Sequence, residues 1–242
     1  MRALFLLCLS FSFGLLDASD RIREFWFSGA EINRYSLDQA RYGANHPGHV
    51  EFIFVTEPFL PDAQVKHEFG QHDSVDVLKL NALRTFNTGI YSYRTMTSTF
   101  RPVDLEAYPH ALKSTTSVQD WCGQTFQQFN REEGGWRMQL FSYFEKEGDQ
   151  NVSLPNAWLE DEIWLQIRLD PSSLPKGNFQ IIPGALNQRF SHKEAEVLTA
   201  TGELEVKPDQ SLYRIRYPDT GRTLSISFDT QFPHIIRGWT DV

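Results

Sequence analysis

Lys79–Gly123 reads KLNALRTFNTGIYSYRTMTSTFRPVDLEAYPHALKSTTSVQDWCG. Two long runs in it alternate with a period of two, which is the spacing of a β-strand. Over Thr88–Phe100, one face carries Gly89, Tyr91, Tyr93, Thr95, Thr97 and Thr99. The other carries Thr88, Ile90, Ser92, Arg94, Met96, Ser98 and Phe100. Thr and Tyr fit a pleated, half-buried surface. Ala111–Cys122 alternates in the same way, with Leu112, Ser114, Thr116, Val118 and Cys122 on one side and Lys113, Thr115, Ser117, Gln119 and Trp121 on the other. Pro102–His110 turns the chain between them. Neither run has a cleanly apolar face, so neither is an ordinary core strand.

The flanking sequence extends the same pattern. His49–Glu57 (HVEFIFVTE) is apolar on both faces and is expected at the centre of a sheet, after a Gly43–Gly48 turn and before Pro58 and Pro61. Gln64–Val77 reads as an irregular loop, with a short strand near Val75–Leu80. Asn130–Gly135 is a hairpin turn, and Trp136–Phe144 alternates behind it. Strands are expected again at Phe179–Ile182, Glu194–Thr201, Leu204–Val206, Leu212–Tyr217, Leu224–Phe228 and His234–Trp239. One helix is expected over about 156–169. Asn156 sits at its start, Glu160, Asp161 and Glu162 follow in the early turns, and Leu159, Ile163, Trp164 and Ile167 make an apolar stripe. The fold class is therefore mainly β: a large curved antiparallel sheet or open barrel with one covering helix.

The composition agrees. There are 19 Phe, 8 Tyr and 6 Trp in 242 residues, enough for a sizeable core rich in strand-forming side chains. The net charge of -8 repels phosphate backbones and argues against a nucleic-acid partner. Arg2 followed by the apolar run Ala3–Leu16 has the form of a signal peptide and is too short to span a bilayer. Residues 1–18 are accordingly expected to be a leader and residues 19–242 one β-rich domain, exported to the periplasm or the cell exterior. No later stretch is long and apolar enough for a transmembrane segment. Once Cys8 leaves with the leader, Cys122 has no partner for a disulfide.

Nucleophilic chemistry at Cys122 needs a base, for which His110 and His192 are the candidates, and an orienting acid such as Asp120. The spacing does not bring them together, and a buried structural cysteine is expected. His46 and His49, or His67 and His72, are too sparse for a metal site. Glu132–Glu133, Glu160–Asp161–Glu162 and Asp229 offer carboxylates, expected on solvated surface. No dinucleotide, phosphate-loop, serine-hydrolase or zinc-protease motif occurs, so no cofactor or metal is expected. The hydroxyl-rich strands are the better place for a site. Tyr91, Tyr93, Arg94, Thr95, Thr97, Gln119 and Trp121 are the candidate ligand-binding residues, suited to a small polar or amphipathic molecule.

The wording LKLNALRTFNTGIYSYRTMTSTF, STTSVQDWCGQTFQQFN and YPDTGRTLSISFDTQFPHIIRGW resembles a family of secreted bacterial proteins of unknown function often labelled septum formation inhibitor Maf. The S-x-R-R motif of the Maf nucleotide pyrophosphatases is absent, so their activity is not implied. The curved, polar-lined sheet is also similar to cell-envelope lipid carriers of the LolA type. The expected function is that of an exported envelope protein that binds a small amphipathic ligand, a lipid or a protein partner on a curved sheet. The alternative is a hydrolase using Cys122 or a carboxylate pair.

Overall fold

The computed structural model describes residues 18–242, and the expected leader lies outside that range except for Ala18. α1 (Ala18–Trp26) comes first. Its Ile22 and Trp26 are buried, and Thr56 Oγ1 donates to the Trp26 carbonyl at 2.8 Å.

Nine strands follow: β1 (Glu31–Arg41), β2 (Ala44–Leu60), β3 (Val65–Lys66), β4 (Val75–Thr88), β5 (Tyr91–Pro102), β6 (Lys113–Asp120), β7 (Gly123–Glu132), β8 (Gly135–Ser142) and β9 (Gln150–Pro155). They form one antiparallel sheet in the order β1-β2-β4-β5-β6-β7-β8-β9, with the short β3 on β2. β10 (Trp158–Leu159) and α2 (Glu160–Leu169) lead into a second sheet. Its other strands are β11 (Gly177–Ile182), β12 (Leu198–Glu205), β13 (Gln210–Arg216), β14 (Thr223–Asp229) and β15 (Ile236–Asp241), and α3 (Ala185–Ser191) is inserted after β11. This sheet has the order β10 to β15 and is antiparallel apart from the β10–β11 pair. The result is mainly β, a large antiparallel sheet and a strongly curled half-barrel sheet.

Several boundaries differ from the sequence reading. The β1–β2 turn is only Tyr42–Gly43, and His46-Pro47-Gly48 lies within β2. Both turn residues have positive φ, 53° and 77°, as a tight hairpin turn matched to strand twist requires. Gly48 is needed in the strand because a Cβ there would stand 2.3 Å from the Thr85 carbonyl oxygen. β2 also runs past Pro58 to Leu60; Pro58 lies opposite Asp76, and its carbonyl accepts from the His67 amide at 2.9 Å. α3 was not expected at all.

α2 lies between the two sheets. Val50, Phe52 and Phe54 of β2 and Leu78 and Leu80 of β4 share one core with Ile163, Leu165 and Ile167 of the helix and with Ile215, Ile226 and Phe228 of the second sheet. Each fully buried aliphatic side chain of the helix contributes about 2 kcal/mol. Phe52 stacks on Trp239 at 5.2 Å, and Trp164 meets both rings edge to face.

The acids of α2 are not on solvated surface, contrary to the sequence expectation, because the helix is covered on both sides. Glu162 is fully buried and accepts from Arg101, from the Ala111 amide and from the Leu159 amide at 3.0 Å, and it bonds His110 Nδ1 at 2.9 Å. Burial pushes its carboxyl up, but Arg101, His110 and the Ala111 amide outweigh this and hold it below the usual range. Glu160 receives both Arg222 guanidinium nitrogens and the Tyr217 hydroxyl. Arg168 reaches Glu31 in a two-pronged pair at 2.8 and 2.6 Å. These pairs tie the helix to β5, β1 and the second sheet. A buried charge is tolerable only when it is paired in this way.

Candidate functional site

The inward face of the first sheet is lined with hydroxyls across β5, β6 and β7. The register sets Thr95 opposite Val118, Thr97 opposite Thr116 and Thr99 opposite Ser114. Thr97 and Thr116 hydroxyls bond at 3.0 Å, and Thr99 and Ser114 at 3.1 Å. These pairs satisfy most of the buried polar groups that made the two strands look unlike a core. The Thr95 hydroxyl is buried without a hydrogen-bond partner among the described residues.

α3 lies over the end of this face. Pro183-Gly184 ends β11, and Ala185, Gln188 and Arg189 then fall one helical turn apart and turn inward together. Gln188 Nε2 donates to the Pro183 carbonyl, and its Oε1 accepts from Gln127 of β7 at 2.9 Å. His192 closes the helix in the left-handed conformation at φ 53°.

A cavity of about 90 Å³ lies between helix and sheet. Thr116, Val118, Thr125, Gln127 and Leu140 form its floor, and Gln188, Arg189 and His192 its roof, with Lys146, Glu147 and Lys193 around the side. Arg189 is the strongest charge here and is 8% exposed. Its Nη1 meets Glu147 at 3.0 Å, its Nη2 lies 3.7 Å from Asp120, and the guanidinium sits 4.1 Å over the Phe144 ring. Its Nε is buried and has no hydrogen-bond partner among the described residues. Glu147 also meets His192 Nδ1 at 3.0 Å. Lys146, Lys193 and Glu194 lie alongside, so the lining carries three basic side chains and two acids, with Asp120 behind Arg189 as a third.

The structure divides the candidate residues named from sequence. Tyr93, Thr95 and Thr97 share the inward face. Tyr93 is buried, its ring stacks on Phe86 at 4.8 Å, and its hydroxyl bonds that of Tyr42 at 2.8 Å. Burial, then the Tyr42 bond, pushes its phenol up to about 12. Arg94 and Gln119 pair with each other on the opposite, exposed face. Tyr91 and Trp121 are exposed at strand ends, their rings edge to face at 5.8 Å. One face therefore holds only three of the seven. Strand alternation located the hydroxyls, but it could not say which side of β6 faces which side of β5. The roof residues came from a missed helix, whose trace in the sequence was the spacing of Ala185, Gln188 and Arg189 after Pro183-Gly184.

Cys122 is exposed, not buried. Asp120 Oδ1 accepts from the Cys122 and Gly123 amides at 2.7 and 3.0 Å, and this tight turn leaves the Trp121 and Cys122 side chains outside. His110 is bound to Glu162 at the far end of β6, an eight-residue strand that separates it from Cys122 by roughly 25 Å. The other candidate base, His192, is held by Glu147. Of the carboxylates, Glu160 and Glu162 are engaged in buried ion pairs. His46 bonds the Arg41 carbonyl, and His49 lies beside Glu51. Among the described residues no group of three or more His, Cys, Asp or Glu could hold a metal ion, and no helix is long and apolar enough to cross a membrane.

A second cleft, about 290 Å³, lies between α1 and the segments Leu169–Asp170 and Thr230–His234. Of its ionisable groups, Asp170 is engaged by Ser172 and Ser173 and His234 by the Asp229 carbonyl, while Arg21 lies 5.8 Å over the Phe232 ring. It offers less than the cavity under α3. No family model, no curated protein and no solved structure matches this chain.

Proposed function

We propose that the protein binds a small anionic molecule, or the anionic head of an amphipathic one, between the hydroxyl-lined sheet and α3. The carrying observation is Arg189, a cation more than nine-tenths buried on the cavity wall above the Thr116 and Thr125 hydroxyls. A buried charge is costly unless paired, and an anion in the cavity would add to the pairing that Glu147 and Asp120 give it. The space holds several water molecules but falls well short of the roughly 300–1,000 Å³ that encloses a drug-sized ligand. A head group therefore fits while the rest of the ligand stays outside. Val118, Leu140 and Ala195 supply apolar contact beside it. The protein is on this reading a binding protein; an envelope setting fits the leader form of residues 1–18.

Native mass spectrometry of protein purified from the producing cell tests this. A small anionic adduct is expected, lost in Arg189→Gln and in the cavity-filling Thr125→Leu. Wild-type protein without an adduct, and without a thermal shift on adding inorganic phosphate, short-chain alkyl phosphates or fatty acids, would refute it.

A further inference from the structure

Antiparallel order brings alternate connections of the first sheet to the same end. The turns at Tyr42–Gly43, between β4 and β5, and between β6 and β7, together with the start of the β8–β9 connection, all lie at one end. Each presents a large exposed side chain: Tyr42 at 71%, Ile90 at 77% with Tyr91 at 45%, Trp121 at 66% and Tyr143 at 77%. They are linked in space. Tyr91 meets Trp121, the Tyr143 ring lies against the Gly123 backbone, and Tyr42 is tied to Tyr93.

The first three tips carry no exposed charge, although 54 of the 242 residues are Asp, Glu, Lys or Arg. Asp120, the one acid at these tips, is turned inward with its side chain 3% exposed. Charged side chains enter along the β8–β9 connection beyond Tyr143, where Glu145, Lys146 and Asp149 are exposed, and after α3 with Lys193 and Glu194. The opposite end of the sheet is the reverse. Its connections expose Asp62, Glu68, Asp73, Asp104, Glu106, Glu132 and Glu133, with Lys66 and the apolar Val65 and Phe69 among them. Three neighbouring tips at one end are thus apolar and free of exposed charge, while the connections at the other end are mostly acidic. Tyr42 holds a left-handed backbone, φ 53°, at a turn position usually filled by Asn or Gly; its hydroxyl is bonded to that of Tyr93 and Arg41 lies over one side of its ring, while 71% of the residue stays exposed.

The geometry points to a lipid bilayer as the partner of this rim: the tips seat in the interfacial layer of a membrane and the acidic end faces water. Tyr and Trp, apolar bodies with a polar tip, are the side chains that settle at that depth. At roughly 200 Å² per large side chain, the exposed parts come to about 650 Å², divided among separate knobs. A stable protein interface buries about 800 Å² per partner in one fitted patch; a bilayer accepts separate knobs. The inference does not depend on the ligand cavity, and either can stand without the other.

Cys122 is a reporter already in place on the third tip. The full chain carrying Cys8→Ser is labelled at Cys122 with an environment-sensitive fluorophore and mixed with phosphatidylcholine vesicles, with and without phosphatidylglycerol. The expected result is a blue shift in both, and quenching by lipids spin-labelled near the head group. Ile90→Asp with Trp121→Asp, both at exposed positions, is expected to weaken vesicle partitioning about tenfold or more, as lost apolar insertion predicts, with an unchanged unfolding midpoint. Vesicle binding through the leader alone would leave the Cys122 label unquenched and the double variant bound, and would overturn the inference. A blue shift that depends on protein concentration without lipid would show self-association and overturn it too.

Discussion

Gln127 on β7 donates to Gln188 on α3 at 2.9 Å, with both side chains buried. This bond joins the sheet to the helix that roofs the cavity. Gln188→Ala leaves the Gln127 amide without its acceptor and enlarges the void, and it is expected to cost about 1–3 kcal/mol. Urea unfolding should show a lower midpoint with an unchanged slope.

Arg101 and Glu162 form a buried pair between β5 and α2, at 1% and 0% side-chain exposure. Arg101→Met leaves a buried carboxylate with His110 as its remaining ionisable partner, and a loss of about 3–5 kcal/mol is expected. Adding Glu162→Gln should restore much of that, since the remaining group is then neutral. Chemical denaturation of both single variants and the double variant gives the coupling, and strict additivity would contradict the pairing.

Asp161 sits beside Glu160, with the Ala185 amide 3.3 Å away. Burial, then the Glu160 charge, pushes its carboxyl up to about 7 from 3.8. A carboxyl raised by folding favours the protonated form in the native state. Its destabilising effect is therefore absent below about pH 4, grows through the interval to pH 7 and is complete above it. Asp161→Asn is expected to stabilise the protein by about 1–3 kcal/mol at pH 8 and by little at pH 4. Thermal melts of wild type and variant across this range test the sign, and a benefit that grows toward low pH would contradict it.

Cys122 should react with a thiol reagent at the same stoichiometry in the native and denatured protein, measured with Cys8→Ser so that one thiol is counted. Reaction only after denaturation would show that the β6–β7 turn is packed and not open.

How far the sequence carried the fold depended on whether the cause was local. His49–Glu57 read as central because it is apolar on both faces; β2 is indeed paired on both edges, by β1 and β4, but lies second from the end of the sheet, and only its Val50, Phe52 and Phe54 face is buried, with Ile53 and Val55 half-buried. The helix was legible from Glu160 through Leu169 because Ile163, Trp164 and Ile167 recur at helical spacing, but its start was read at Asn156, four residues early: Trp158–Leu159 pairs as β10 and Leu159 is the N-cap. Its acids were misassigned because solvation is the ordinary state of such a run, and only the placing of Arg101 from β5 and Arg222 from the β13–β14 turn makes burial tolerable. Cys122 was misplaced for a smaller reason: Asp120 folds back onto two amides and turns the next side chains out.

The sequence by itself determined the mainly β class and the hydroxyl-rich strands, since both follow from neighbours along the chain. Tertiary structure alone decided that there are two sheets, that α2 is buried between them, that Thr97 faces Thr116 while Arg94 faces Gln119, and that α3 brings Arg189 over the hydroxyls. Register and layer packing are settled by contacts between residues far apart in the chain, and one step of slip exchanges the two faces of a strand. Lys79–Gly123 therefore showed that its strands differ from an ordinary core, while the far side of the cavity came from residues 185–195.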